Sequence, residues 1–154
     1  MPAGLTPEQL QAWHRDGYVA VAGLYSGETM LQWKQIMRDV MEEERRAAGV
    51  DEWSFVTSGV RVWMCDVIHP VLREAMRDDK VTPILKQIIG PDVEFLSAKA
   101  VFKDARVDMP SPWHQDWFYW HGAPKLSIWI ALDDATPDNG CLKFIPGSHK
   151  TNFN

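Results

Sequence analysis

Cysteine is scarce in this sequence. Cys65 and Cys141 are too few and too far apart for a disulfide framework or a four-thiolate zinc site, so both are expected to be reduced thiols. Long apolar runs are missing as well. No stretch of about 18 apolar residues occurs, and Met1 to Leu5 shows no basic segment followed by an apolar one. Membrane spanning and secretion are therefore both unsupported, and the cytoplasm is the expected compartment. Positive charge is not in surplus either: 16 Lys and Arg against 21 Asp and Glu leave a net charge of -5. Nucleic acid or an anionic membrane surface calls for clustered cations, so neither is expected as a partner. Small anions can still bind at single sites.

What is present is an ordinary globular composition with one excess. The 154 residues suit a single domain long enough to bury a core. Hydrophobic residues make up 45% and charged residues 24%, and eight Trp form a heavy aromatic load that has to pack somewhere. Thr6-Pro7-Glu8-Gln9 spells a helix start, with Thr as cap, Pro at the first helical position and Gln placed to close a capping box. Leu5 and Leu10 suit the accompanying staple, Gly17 the helix end, and Tyr18 to Val21 a short strand before a turn at Gly23 to Gly27. A second helix is expected from Ser26 to Gly49, because Met30, Trp33, Met37, Val40 and Met41 recur at helical spacing. The charged run Glu42 to Arg46 reads as its solvated end.

A strand around Val60 to Met64 and short helices from near Pro70 and Pro83 follow, closed by Gly90-Pro91. There the pattern changes. Val93 to Lys103, Trp113 to Trp120, Lys125 to Leu132 and Cys141 to Ile145 read as strands separated by turns such as Thr136-Pro137-Asp138-Asn139-Gly140. Helices first and a sheet after is the α+β arrangement, expected here as one domain over 1–154 that is mainly helical over 1–91.

The segment that carries chemistry is Trp113-His114-Gln115-Asp116-Trp117. On an extended strand residues i and i+2 share a face with Cα atoms roughly 6.5 to 7 Å apart, so the imidazole of His114 and the carboxylate of Asp116 can converge on one ion. Two His and one carboxylate on one face of an octahedral iron leave positions open for a bidentate cosubstrate and O2. His-X-Asp supplies half of that set, and by itself it reads equally as a hydrogen-bonded pair at a strand end.

Context comes from three further stretches. Leu5-Thr6-Pro7-Glu8-Gln9 with Asp16-Gly17-Tyr18, the run Trp129-Ile130-Ala131-Leu132-Asp133-Asp134-Ala135-Thr136-Pro137-Asp138-Asn139-Gly140-Cys141-Leu142, and Ile145-Pro146-Gly147-Ser148-His149-Lys150 stand in order around Trp113-His114-Gln115-Asp116. Together they resemble the phytanoyl-CoA dioxygenase family over essentially the whole length. The resemblance implies a double-stranded β-helix, a cupin-like jelly roll with helices packed outside one sheet, and a Fe(II)- and 2-oxoglutarate-dependent oxygenase using O2 on a small organic substrate. His114 and Asp116 match the family's first two iron ligands. An aspartate at the second position implies hydroxylation, because related halogenating enzymes leave that position free for halide.

Lys99 matches a family position lining the 2-oxoglutarate pocket. Lys99 and Lys103 share one alternating face of their strand, and a dicarboxylate wants cations; the plain alternative is a solvent-facing lysine. Arg61 is a weaker candidate of the same kind. Trp129 matches a tryptophan beside the cosubstrate, with core packing as the alternative. Gln115, between the ligands and pointing the other way on a regular strand, is expected to order the ligand segment. Trp117-Phe118-Tyr119-Trp120 reads first as sheet core and second as a substrate-pocket wall. His121 and His149 are minor candidates for a third ligand.

The sequence departs from the family in extent. About four of the roughly eight strands of a jelly roll are represented, and no residue matches the family's distal His ligand or its 2-oxoglutarate-clamping Arg. A C-terminally truncated domain is expected, binding iron poorly alone and leaving an open edge and an apolar face uncovered. Its oligomeric state is not specified. The rival from another class is a noncatalytic jelly-roll binding or structural protein. A cupin-type isomerase would need further His ligands that are not found.

Overall fold

A computed structural model describes residues 4–51, 61–63 (backbone), 69–75, 77–103, 111–116 and 125–151. Helix α1, Pro7–Asp16, starts as its sequence dictates: Thr6 Oγ1 accepts from the Gln9 N–H (3.2 Å) and Gln9 Oε1 accepts from the Thr6 N–H (2.9 Å). This box satisfies two groups at the helix start that would otherwise lack partners. Thr6→Ala is expected to cost about 1 kcal/mol, and Thr6→Gly a few tenths, in urea unfolding. The helix stops at Gly17, whose φ of 84° is a left-handed conformation that glycine adopts without Cβ strain.

Helix α2, Gly27–Ala48, is capped by Ser26 and closed by Gly49 (φ 66°). Trp33, Met37 and Val40 on its inner face are buried together with Leu72 and Ala75 of α3, Pro70–Ala75. Met30, Met41, Ala98, Ala100, Phe102, Ile130 and Leu132 pack around them. The expected apolar stripe of α2 is thus the core, lying across the chain segments that follow it. At the far end of α2, Arg45 forks onto both oxygens of Glu42 (2.7 and 2.6 Å) and Arg46 adds a third bond (2.9 Å).

The hydrogen bonds from Arg45, with the charges of Arg45 and Arg46, hold the Glu42 carboxyl down to about 2 from an ordinary 4.5. A value depressed in the folded state stabilises above the unfolded value and is lost as pH falls through the folded one. The difference in melting temperature between the native chain and Glu42→Gln is therefore expected to be full above about pH 4.5 and gone by about pH 2.

Helix α4, Val81–Ile89, begins two residues before Pro83, at whose early position a missing N–H costs nothing. Gln87 on α4 ties down the start of the chain: its Oε1 accepts from the Leu5 N–H (2.8 Å) and its Nε2 donates to the Leu5 carbonyl (3.3 Å). Strand β1, Arg61–Trp63, pairs antiparallel with β2, Lys99–Val101, in the register Arg61↔Val101, Val62↔Ala100, Trp63↔Lys99. A 3₁₀ turn covers Ser148–Lys150.

Strand content is the main correction. Tyr18–Val21, Lys125–Leu132 and Cys141–Ile145 carry no ladder among the described residues, and Val93–Lys103 is paired only at Lys99–Val101. Trp113–Asp116 contains a bend and a turn in place of the expected strand, and Trp117–Trp120 lies outside the described residues. Strand composition describes fitness for a pleated surface, and a ladder exists only where a neighbouring strand accepts and donates its hydrogen bonds. Pro112, with no N–H to donate, also argues against a ladder at the entry to the His114 segment. No helix among the described residues is long and apolar enough to cross a membrane.

Candidate functional site

In the 111–116 segment the backbone makes no backbone–backbone hydrogen bond among the described residues. His114 is instead oriented through its ring: Nδ1 lies 2.7 Å from the Pro112 carbonyl, and Nε2 lies 3.4 Å from Asp116 Oδ1. Both side chains are 45% exposed, so the pair is reachable from solvent. A carbonyl can only accept, so Nδ1 carries the proton and Nε2 of the neutral ring is an acceptor. That acceptor faces a carboxylate. Two lone-pair bearers at this separation are satisfied by a cation between them or by a second proton on the ring. The imidazole and carboxylate converge as their spacing suggests, through a turn at Asp116 and not through a straight strand.

Among the described residues no third His, Cys, Asp or Glu joins the pair to make a metal-sized group. His149 lies elsewhere. Its ring is seated against Gly17, where a Cβ would come within 2.3 Å of His149 Nδ1. His121 and the Arg61 side chain lie outside the described residues. The chemistry of the pair fits Fe(II), which takes imidazole nitrogen and carboxylate oxygen.

Gln115 places its carboxamide on the neighbouring 3₁₀ turn, Nε2 donating to the carbonyls of Ser148 (2.7 Å) and Thr151 (2.8 Å). That turn is fixed from its other side by α1. The Gly147 N–H donates to the Asp16 carbonyl (2.8 Å), and the rings of Tyr18 and Phe144 stack at 4.7 Å. The Asp16 carboxyl is held below the usual carboxylate range, first by its hydrogen bond from Arg15 and then by nearby charges including Lys150 and His149. Asp16-Gly17-Tyr18 and Phe144 to Lys150 are thus one structural unit. Sequence reasoning singled out both motifs and missed that they meet, a contact no local pattern encodes.

Ala98, Ala100 and Phe102 pack toward α2, as do Ile130 and Leu132. By alternation Lys99, Val101 and Lys103 face the other way, and Trp129, in a segment without a ladder among the described residues, is 56% exposed. Lys99 and Trp129 are therefore not core residues; they lie on the side of their segments away from the helices. Neither bonds to His114 or Asp116, whose side-chain polar partners among the described residues are the Pro112 carbonyl and each other. Lys103 Nζ donates to the Gly140 carbonyl (2.6 Å) at the 136–140 turn. In that turn the Thr136 N–H donates to Asn139 Oδ1 (2.8 Å), and Gly140 has φ 85°.

Fold and site together define a chain whose helices cover one face of a strand-bearing segment, with Lys99, Lys103 and Trp129 on the side away from the helices. The chain belongs to the family described as Phytanoyl-CoA dioxygenase (PhyH), whose sequence profile it matches over residues 13–154. It is 29% identical over 157 residues to the ectoine dioxygenase of Bordetella bronchiseptica, covering 95% of this chain and 50% of that protein. It is 31% identical over 141 residues to the L-proline trans-4-hydroxylase of Streptomyces griseoviridis, covering 87% of this chain and 52% of that protein. A probable alpha-ketoglutarate-dependent hypophosphite dioxygenase of Stutzerimonas stutzeri is 28% identical, with 93% and 53% covered. The chain spans about half the length of the curated relatives it matches. No solved structure matches it.

Proposed function

We propose that the chain is part of a Fe(II)- and 2-oxoglutarate-dependent dioxygenase that hydroxylates a small organic substrate, built on a cupin-like jelly roll to which residues 92–154 contribute the first half. His114 and Asp116 would hold the iron. The observation that carries this reading is the imidazole Nε2 aimed at a carboxylate oxygen 3.4 Å away while Nδ1 is committed to a backbone carbonyl. In metal sites the second ring nitrogen of a ligating histidine is commonly held this way, which sets the tautomer and aims the lone pair. Iron with 2-oxoglutarate and O2 would supply the oxidising power for attack on an unactivated C–H bond. The residues of this chain bind and orient: Asp116 contributes negative charge, His114 a fixed lone pair, and Gln115 keeps both on one short segment.

The face bearing Lys99 and Trp129 is where the cosubstrate would lie, with Lys99 offering a charge-assisted bond to a carboxylate and Trp129 a flat wall. Relatives named for ectoine, L-proline and hypophosphite point to a small polar molecule as substrate. Anaerobic addition of Fe(II) and 2-oxoglutarate tests the reading. A weak visible charge-transfer band is expected with both present at concentrations high enough to offset the poor iron binding expected of this chain, and with neither alone; its absence at the highest concentrations of both overturns the proposal. A noncatalytic jelly-roll binding or structural protein, in which His114 and Asp116 partner only each other, is the competing reading, favoured by the lack of a third ligand among the described residues.

A further inference from the structure

We propose that the C-terminal end of α1 positions the His114–Asp116 pair, acting through the 147–151 turn and Gln115; this rests on the pair's being a metal site. The line of contacts is continuous. At one end the Asp16 carbonyl accepts from the Gly147 N–H at 2.8 Å, and the His149 ring sits where a side chain on Gly17 would be. At the other end Gln115 Nε2 holds the Ser148 and Thr151 carbonyls at 2.7 and 2.8 Å. Gln115 lies between the two putting-forward residues, His114 and Asp116, so fixing its carboxamide fixes the short backbone stretch from which both ligands project.

The need for such a strut follows from the ligand segment itself. Among the described residues no backbone–backbone hydrogen bond reaches the 111–116 segment, so none of them sets its register by a ladder. A metal pair has to be held to within about 0.5 Å of its working geometry, and side chains meet that only where neighbouring groups grip the segment that bears them. Helix α1 is capped at both ends, and the carbonyl of its last residue, Asp16, accepts from the Gly147 N–H at the start of the 147–151 turn. Both N–H groups of the Gln115 amide donate to carbonyls, which a Glu or an Ala at this position cannot reproduce. Gly17 and Gln115 are positioning residues, more than 90 positions apart in sequence and joined only by the fold.

Anaerobic titration with Co(II), read by its visible absorption, reports affinity and coordination geometry together. It is applied to the protein and to its Gln115→Ala, Gly17→Ala, doubly substituted and His114→Ala forms, with folding checked by circular dichroism. Gln115→Ala is expected to weaken Co(II) binding about tenfold or more and to shift the band at saturating metal, a change that loss of stability alone does not produce. Gly17→Ala is expected to weaken it less, and the double variant to be no weaker than Gln115→Ala, because one strut cannot be broken twice. Unchanged affinity and band in Gln115→Ala, with binding lost in His114→Ala, overturns the proposal and leaves the metal site standing. Multiplying losses in the double variant also overturn it. Should Gly17→Ala not fold, the Gln115 arm decides alone. Native-like binding in His114→Ala removes the metal site and the strut's purpose with it.

Discussion

Replacing His114 or Asp116 with Ala is expected to abolish the charge-transfer band formed by Fe(II) with 2-oxoglutarate, while His149→Ala keeps it. The two ligand positions act differently. His114→Ala removes the lone pair and leaves the Pro112 carbonyl without its ring partner, whereas Asp116→Ala removes the charge that, on the proposed reading, would hold a dication. Substitutions around a metal's ligands commonly cost 10- to 100-fold in affinity, so loss of a ligand itself should exceed about 100-fold, or about 2.7 kcal/mol. Asp116→Asn is the sharper probe, since it keeps the shape and removes the charge; it is expected to resemble Asp116→Ala. His149 faces Gly17 and contributes no bond to the pair, so its loss reaches the site only indirectly. Equal loss of the band in the His114, Asp116 and His149 variants would refute the ligand assignment.

Trp33→Ala is expected to lower stability by about 3 to 5 kcal/mol in denaturant unfolding, a large share of the roughly 5 to 15 kcal/mol of a typical domain. Trp33 is 6% exposed, packs with Met37, Val40, Leu72 and Ala75, and meets the Tyr25 ring at 4.8 Å, so truncation leaves a void that several elements border. The same cluster supports Ala98, Ala100, Phe102, Ile130 and Leu132, whose neighbours Lys99 and Trp129 lie on the side away from the helices. Loss of Trp33 therefore loosens the support of that face as well as the fold. Leu31, two residues away on the outer side of α2 and 68% exposed, is the control: Leu31→Ala should change stability by no more than about 0.5 kcal/mol. Comparable losses from both substitutions would mean that α2 does not bury the face assigned to it.

The legible parts of this fold are those whose partners are close in sequence. The Thr6–Gln9 box, the start of α2 at Ser26, and the stops at Gly17 and Gly49 each depend on atoms a few residues apart, and all stand within a residue of where the sequence puts them. The apolar stripe of α2 was legible for the same reason, because helical spacing is a local property. The His114–Asp116 approach survives the loss of the expected strand, since two positions of separation let a turn bring the side chains together as a strand would. Of the six expected strands, Val60–Met64 and Val93–Lys103 pair with each other at Arg61–Trp63 and Lys99–Val101, and the others carry no ladder among the described residues. Their composition was right for a pleated sheet, but a ladder needs a partner at a distance that composition does not encode.

The amino-acid sequence by itself determined the helices, their caps, the face of α2 that is buried, and the residue types that meet at His114 and Asp116, because these are set by short-range hydrogen bonding and periodicity. Only the tertiary structure decided that the Ser148–Lys150 turn rests on the end of α1, that Gln115 grips this turn across 33 and 36 positions, and that Trp129 stands open and not in the core. Those features depend on which distant backbone groups find each other when the core closes, and no local pattern of residues carries that information.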